Sequence, residues 1–338
     1  MVVLTEKKDI AAFASENKLH IALGCFDGVH LGHQALFDLV AQCARRAGEQ
    51  AGVLLFDPHP EEVLRGDGSL MLLTALAEKI RLIQTYGKLH VIILPFTMDF
   101  AAISPEDFVR EYLAGLLKVR TAVCGYNYRF GYKGQGDSYT FRQLAVAYGF
   151  AGVVKPRVTV DGKEASSTAI RNLIRLGDML EAYSRLGHCH IYSGEVVEGH
   201  KLGAQLGFPT ANLKISTKLI LPAFGVYGAF IRDAKGGIYR AVVNVGVRPT
   251  VSGGDAMPSF EANLLDFQGD LYGQTLQAVL TNRLRPEMTF EDLSALQNQI
   301  THDADTAASV LRQWEAQLQG KGLTPEAIFS CFIQEYPL

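Results

Sequence analysis

Short apolar runs and helical periodicities alternate through the first half of the chain. Ile21-Ala22-Leu23, Gly52 to Phe56, Val91 to Leu94, Ala122 to Cys124 and Val153-Val154 are apolar without alternation, the pattern of strands buried on both faces. Between them the spacing changes to three and four: Leu36, Leu39, Val40 and Cys43 fall on one helical face, and Gly48 ends that pattern. Ser104-Pro105-Glu106-Asp107 opens another helix with a hydroxyl cap, a first-turn proline and early acids. Buried strands separated by helices predict a parallel α/β sheet covered on both faces. Ligands of such sheets lie at the carboxyl ends of the strands.

From about His188 the texture changes. Ile191 to Val197, Val226 to Ile231, Ala241 to Val245, Phe260 to Phe267 and Thr275 to Leu284 are strand-like runs separated by glycine-rich or polar turns. In the last of them Leu276, Ala278, Leu280 and Leu284 share one face. Many short strands in so short a stretch predict a small antiparallel barrel. A terminal helix follows, in which Leu293, Leu296, Ile300, Ala304, Ala307, Leu311, Trp314 and Leu318 recur at steps of three and four. This stripe, Trp314 included, reads as core packed on the barrel. The expected domains are residues 1–186 and 187–338.

Composition narrows the partners. At 338 residues the chain has room for two cores, and its net charge of -3 argues against a nucleic-acid binder or a basic membrane-surface protein. Small molecules are the expected ligands. Cysteines 25, 43, 124, 189 and 331 are odd in number and contain no C-x-x-C pair, which suggests neither a disulfide framework nor a zinc knuckle and fits a reducing cytoplasm. The N-terminal residues lack the apolar core of a signal peptide, and no run approaches the ~18 apolar residues of a membrane span. Homo-oligomer formation is left open.

The chemistry gathers after the first apolar run. Gly24-Cys25-Phe26-Asp27-Gly28-Val29-His30-Leu31-Gly32-His33 is a strand end, a glycine turn and a helix start that brings two imidazoles to outward-pointing N–H groups, a place for a phosphate chain. It contains neither G-x-G-x-x-G nor a Walker A loop, and its H-x-G-H spacing resembles the nucleotidyltransferase superfamily. The plainer alternative is a βα turn whose histidines cap the helix. Phe56-Asp57-Pro58-His59-Pro60 ends the second strand at the same edge. Gly125-Tyr126-Asn127-Tyr128-Arg129-Phe130-Gly131 and the glycine-rich Tyr132 to Asp137 end the fourth, either as a clamp for a flat ring and a phosphate or as a surface loop. Ser166-Ser167-Thr168-Ala169-Ile170-Arg171 starts a helix, and its hydroxyls serve a cap or a phosphate equally. In the second half, Gly203 to Asn212 offers backbone for a phosphate with a hydroxyl and an amide suited to Mg²⁺. Glu261, on a barrel strand, is either a general base or a solvated surface acid.

Taken together, these segments resemble the bacterial bifunctional riboflavin kinase/FAD synthetase family over nearly the whole chain. The likeness in the first half rests on Gly24 to His33, Phe56 to Pro60, Gly125 to Gly131 and Ser166 to Arg171. In the second it rests on Leu206 to Asn212, Gly225-Val226-Tyr227, Asn244 to Thr250, Leu265 to Gly273 and Leu284-Arg285-Pro286-Glu287. It implies an α/β nucleotidyltransferase domain with a Rossmann-like parallel sheet, then a six-stranded antiparallel β-barrel with a C-terminal helix. The implied activities are riboflavin to FMN in the barrel and FMN to FAD in the first domain, each with ATP and Mg²⁺. Carried over residue by residue, ATP and its phosphates fall to Gly24, Phe26, Asp27, Gly28, His30, His33, Ser167, Thr168 and Arg171 in the first domain. In the second they fall to Gly203, Gly207, Pro209 and Thr210, with Thr210 and Asn212 on the metal. Flavin contacts fall to Phe56, Pro58, Asn127, Phe130 and Arg285, and catalysis to Glu261, His30, His33 and Arg171.

Ala204 stands where the family carries a basic residue, and Asn263 where a histidine is usual. Two alternatives therefore accompany the bifunctional enzyme: an FAD synthetase with an impaired kinase barrel, and a flavin-binding regulator without catalysis. Retention of Thr210, Asn212 and Glu261 argues against both, since a binder needs neither metal ligands nor a base.

Overall fold

The computed structural model describes residues 1–199, 207–248 and 257–330. Gly203, Ala204 and Cys331 lie outside them. The chain forms two compact units, Met1 to Ser167 and Thr168 onward.

In the first unit, β1 (Val3–Leu4), β2 (Leu19–Leu23), β3 (Gln50–Asp57), β4 (His90–Pro95), β5 (Val119–Gly125) and β6 (Ala151–Lys155) form one parallel sheet in the order β1-β4-β3-β2-β5-β6. Every residue of β2 is buried, which explains its lack of alternation. One face of the sheet is covered by Phe108, Val109, Leu113 and Phe141 packing on Ile21, Leu54, Ile92 and Ala122. The helix Leu31–Ala47 packs against β2, β3 and β5 and ends at Gly48, which takes the left-handed conformation. Its buried stripe runs through Leu36, Phe37, Val40 and Ala44, so the face is turned from the predicted one and leaves Leu39 and Cys43 half-buried. The strand order reverses between β2 and β5, and a crevice opens beyond carboxyl ends at such a reversal. The Gly24 turn and the Gly125 loop therefore issue from the two strands that bound it. Edge strand β1 is too short to register as a pattern. A hairpin of β7 (Thr159–Val160) and β8 (Lys163–Glu164) completes this unit.

In the second unit, β9 (Ile191–Val197), β10 (Ala211–Ile215), β11 (Gly225–Arg232), β12 (Ile238–Arg248), β13 (Met257–Leu264) and β14 (Thr275–Arg285) close an antiparallel barrel in the order β10-β13-β12-β11-β14-β9. Paired Val243 and Ala262, and Val245 and Phe260, are buried on one face. By the two-residue period, paired Asn244 and Glu261 point to the other. The long helix Leu293–Gly320 packs on β11, β12 and β14 through Ala307, Leu311, Trp314 and Leu318, so the predicted stripe is core from its middle onward. The Trp314 indole N–H donates to Asn282 at 3.2 Å. Strand β10 was hidden in sequence because its residues read as a phosphate-loop motif.

The two units divide before Leu186, the expected domain end. The helix Met179–Leu186 packs on β14, and buried Tyr183 donates its hydroxyl to the Leu280 carbonyl at 2.6 Å.

Candidate active sites

The turn after β2 is bent against ordinary backbone preference. Phe26, Gly28 and Val29 have φ of 50°, 85° and 43°, and a β-branched residue such as Val29 takes positive φ only when its surroundings impose it. The imposing contacts come from several directions. The Asp27 carboxylate accepts from the Leu73 N–H at 3.0 and 3.1 Å and from the Thr74 N–H at 3.1 Å. The Gly28 N–H donates to the Thr74 hydroxyl at 3.1 Å, and the Gln34 amide donates to the Val29 carbonyl at 2.8 Å. Lys79 donates to the Cys25 carbonyl at 3.0 Å, and Ser167 to the Asp27 carbonyl at 2.9 Å.

The side chains of two residues expected at the phosphates have structural work. Asp27 is 2% exposed and its carboxylate accepts from the backbone of Leu73 and Thr74, so its side chain staples the turn. Phe26 is fully buried with its ring 5.0 Å from Phe37 and edge-on to His33 at 5.1 Å, a packing role. Sequence reading missed Thr74 and Lys79, because a threonine before a helix and a lysine within one look like an ordinary cap and a surface charge.

His30 occupies the position before the helix, yet its side chain makes no capping bond, which removes the plainer reading of the histidine pair. Instead the His30 and His33 rings stack at 3.6 Å between centroids and 23° between planes. Burial, then the His30 and Lys79 charges, hold the His33 imidazole well below its usual range, so it is neutral at pH 7. The helix Ser167–Leu176 carries Ser167 half-buried, Thr168 exposed and Arg171 half-buried, and the unit boundary falls between Ser167 and Thr168.

Beside the turn lies an apolar cavity of about 310 Å³ lined by Gly24, Cys25, Phe56, Phe96, Phe100, Phe108, Tyr128 and Phe130, with Arg129 and Lys133 at its polar side. Phe56 and Phe130 were expected there. Pro58 and the exposed Asn127 do not line it, whereas Phe96, Phe100 and Phe108 reach it from segments with no motif. Tyr128 and Phe130 stack at 5.5 Å between centroids.

The barrel's site is a row of paired residues. Asn212 pairs with Glu261, Glu261 with Asn244, Asn244 with Val226, and Val226 with Arg285. Five sequence-distant motifs thus contribute one residue each to a single line across β10, β13, β12, β11 and β14. Glu261, Asn244, Val226 and Arg285 line a cavity of about 260 Å³ with Thr210, Asn263, Phe208 and Phe290, closed by Leu296, Ile300 and Asp303 of the long helix. Glu261 is therefore half-buried against a cavity rather than solvated. A second cavity of about 260 Å³ shares Thr210 and is lined by Pro209, Phe267, Gly269 and Tyr272. Exposed Gly207 lies just upstream of both.

Arg285 is held, not free. Its Nε donates to both Asp303 oxygens at 3.0 Å, its Nη2 to Asp303 at 2.8 Å and its Nη1 to the Pro286 carbonyl at 3.0 Å. Asp303, 4% exposed, in turn accepts from Gln299 at 2.9 Å. Asn263 donates to the Pro209 carbonyl at 2.7 Å, so the residue that departs from the family pattern ties β13 to the start of β10.

Comparison with known proteins separates the same two halves. A sequence model of FAD synthetase matches residues 12–169, and one of riboflavin kinase matches residues 186–311. The bifunctional riboflavin kinase/FMN adenylyltransferase of Escherichia coli K12 is 35% identical over 85% of this chain and 91% of its own length. The chain belongs to this family. The Bacillus subtilis member is also 35% identical, over 85% of this chain and 90% of its own. A crystal structure described as a macrolide-efflux protein from Streptococcus pneumoniae is 28% identical and covers 91% of this chain and 99% of that one at a TM-score of 0.81. Among the described residues no helix is long and apolar enough to cross a membrane.

Proposed function

We propose a division of labour within this riboflavin kinase and FMN adenylyltransferase: the Gly24–His33 turn and its aromatic cavity make FAD, and the Glu261 row of the barrel makes FMN. What carries the reading is that each family match falls on a half with its own cavity, lined by its own motif residues.

In the first site the flavin ring stacks in the aromatic cavity while the triphosphate lies on the turn. An FMN phosphate oxygen attacks the α-phosphorus of ATP and pyrophosphate leaves. The nucleophile is already an anion, so the site needs alignment and charge neutralisation rather than a base. His30 and His33 supply N–H donors, and Ser167, Thr168 and Arg171 supply the rest. The His33 imidazole, held below its usual range by burial and by the His30 and Lys79 charges, gains proton affinity beside a bound anion.

In the second site the nucleophile is a primary hydroxyl. Glu261 accepts its proton as the ribityl oxygen attacks the γ-phosphorus, and ADP leaves. Riboflavin takes the cavity that contains Glu261, and ATP takes the adjoining one across Thr210. Thr210 and Asn212 would hold Mg²⁺: two uncharged oxygen donors beside Glu261 suit an ion that keeps water and phosphate ligands, and its charge would offset that developing on the phosphates. The Asn263 bond to Pro209 gives that departure a structural task, which weakens the impaired-kinase alternative.

Incubation of the purified protein with riboflavin, ATP and MgCl₂ should yield FMN and then FAD by chromatography. FAD from supplied FMN with no FMN from riboflavin would leave only the adenylyltransferase. For the domain boundary we propose that a fragment from Thr168 is more stable than one from Gly187 by about 3 kcal/mol, the scale for losing a large buried aromatic, here Tyr183. Equal melting of the two fragments would favour the later boundary.

A further inference from the structure

A lysine is enclosed beneath the first site with no acid in ion-pair contact among the described residues. Lys79, on the helix Leu76–Gly87, is 4% exposed. Its Nζ donates to the Cys25 carbonyl at 3.0 Å, and it makes no ion pair among the described residues. Asp27, the buried acid of the same turn, gives its oxygens to the backbone of Leu73 and Thr74. Lysine is almost never fully buried without a counter-charge, because an ammonium removed from water loses its hydration, and one carbonyl satisfies one of its three N–H donors. The charge is also felt at the site, since Lys79 and His30 both oppose protonation of His33. Three nitrogen cations or potential cations thus surround one turn. Their natural complement is a multivalent anion that arrives with the substrate.

We propose that Lys79 is an anion-binding residue of the first site, aimed at the polyphosphate of the nucleotide and at the pyrophosphate that leaves it. This rests on reading that site as the adenylyltransferase. The competing role is a strut that only holds the Cys25 carbonyl. Lys79→Gln separates the two, because the amide still donates to that carbonyl but carries no charge.

The probe is inorganic pyrophosphate with the full chain. In the parent, pyrophosphate should shift the Lys79 ¹⁵Nζ resonance. In Lys79→Gln its apparent affinity, from thermal unfolding, should fall about ten- to a hundredfold, the worth of a charge-assisted bond. FAD formation should fall in proportion while riboflavin phosphorylation keeps the parental rate, and His33 should titrate at higher pH than in the parent. A strut would leave pyrophosphate affinity unchanged, and that result overturns the proposal. So does a Lys79 resonance that pyrophosphate leaves in place, a measurement that holds even if the variant does not fold. FAD formed with Lys79 unmoved sinks this inference alone, whereas Lys79 shifted in a protein that makes no FAD leaves the anion site standing and sinks the adenylyltransferase.

Discussion

The two units handle charge in opposite ways. Around the Gly24–His33 turn the acid is withdrawn: Asp27 is stapled to Leu73 and Thr74, while the stacked histidines and the Lys79 ammonium lie beside the same turn. In the barrel the cation is withdrawn: Arg285 is bound to Asp303, and Glu261 is left on the cavity wall. On the proposed roles the inversion follows the nucleophiles. A phosphate that is already charged needs neutralisation, while a hydroxyl needs a base. Two transfers at phosphorus therefore call for two electrostatic designs in one chain.

The strongest test of that contrast is removal of the proposed base in the barrel. Glu261→Gln keeps shape and hydrogen bonding, and should lower riboflavin phosphorylation by at least about a hundredfold, with riboflavin binding little changed and FAD formation from supplied FMN untouched. Near-parental kinase activity would end the general-base assignment. The mirror experiment is His33→Ala, and Arg171→Ala beside it, each expected to cost FAD formation about 10²–10³-fold while FMN formation survives. A variant that makes FAD at the parental rate removes that residue from the site.

A smaller effect is expected from the withdrawn cation. Asp303→Asn leaves a mostly buried guanidinium without its partner, and breaking such a pair typically costs about 3–5 kcal/mol. The barrel should melt earlier and riboflavin KM should rise, with the first unit's transition unmoved. An unchanged melting profile would mean that Arg285 finds water or Glu287 instead.

The smallest effect concerns pH. The folded pKa of His33 lies below its usual 6.5, so the unfolded chain binds the extra proton first as pH falls. The contribution is fully present above that value and is lost below it, by at most about 1.4 kcal/mol per pH unit. Thermal unfolding between pH 7.5 and 5.5 should show the first unit weakening, and His33→Ala should flatten that dependence. A profile identical in parent and variant would mean that the imidazole binds its proton equally well in the folded and unfolded chain.

Much of this was legible in the residues. Uninterrupted apolar runs identified five of the six parallel strands, and the barrel's alternation identified five of its six. Strand β10 escaped because Ala211 to Ile215 continues a segment whose glycines and proline pointed to a loop. Phe56, Phe130 and Glu261 line cavities from the strand ends and the strand where the sequence put them, and Thr210 lines both barrel cavities from the segment that read as a phosphate loop. The work of the Asp27 carboxylate was not legible, because an acid in a phosphate-like turn shows no sign of where its oxygens go.

What the sequence determined by itself was local: periodicity, turn chemistry and the order of motifs, all set by neighbours within a turn or a strand. The tertiary structure alone decided which distant residues meet. The line from Asn212 through Glu261 and Asn244 to Arg285 depends on strand register, which is a property of pairs of strands and not of any one. The same holds for Lys79, an unremarkable helix lysine until the helix Leu76–Gly87 brings it under Cys25. Burial, and with it the cost of an unbalanced charge, exists only once the chain has closed around the group.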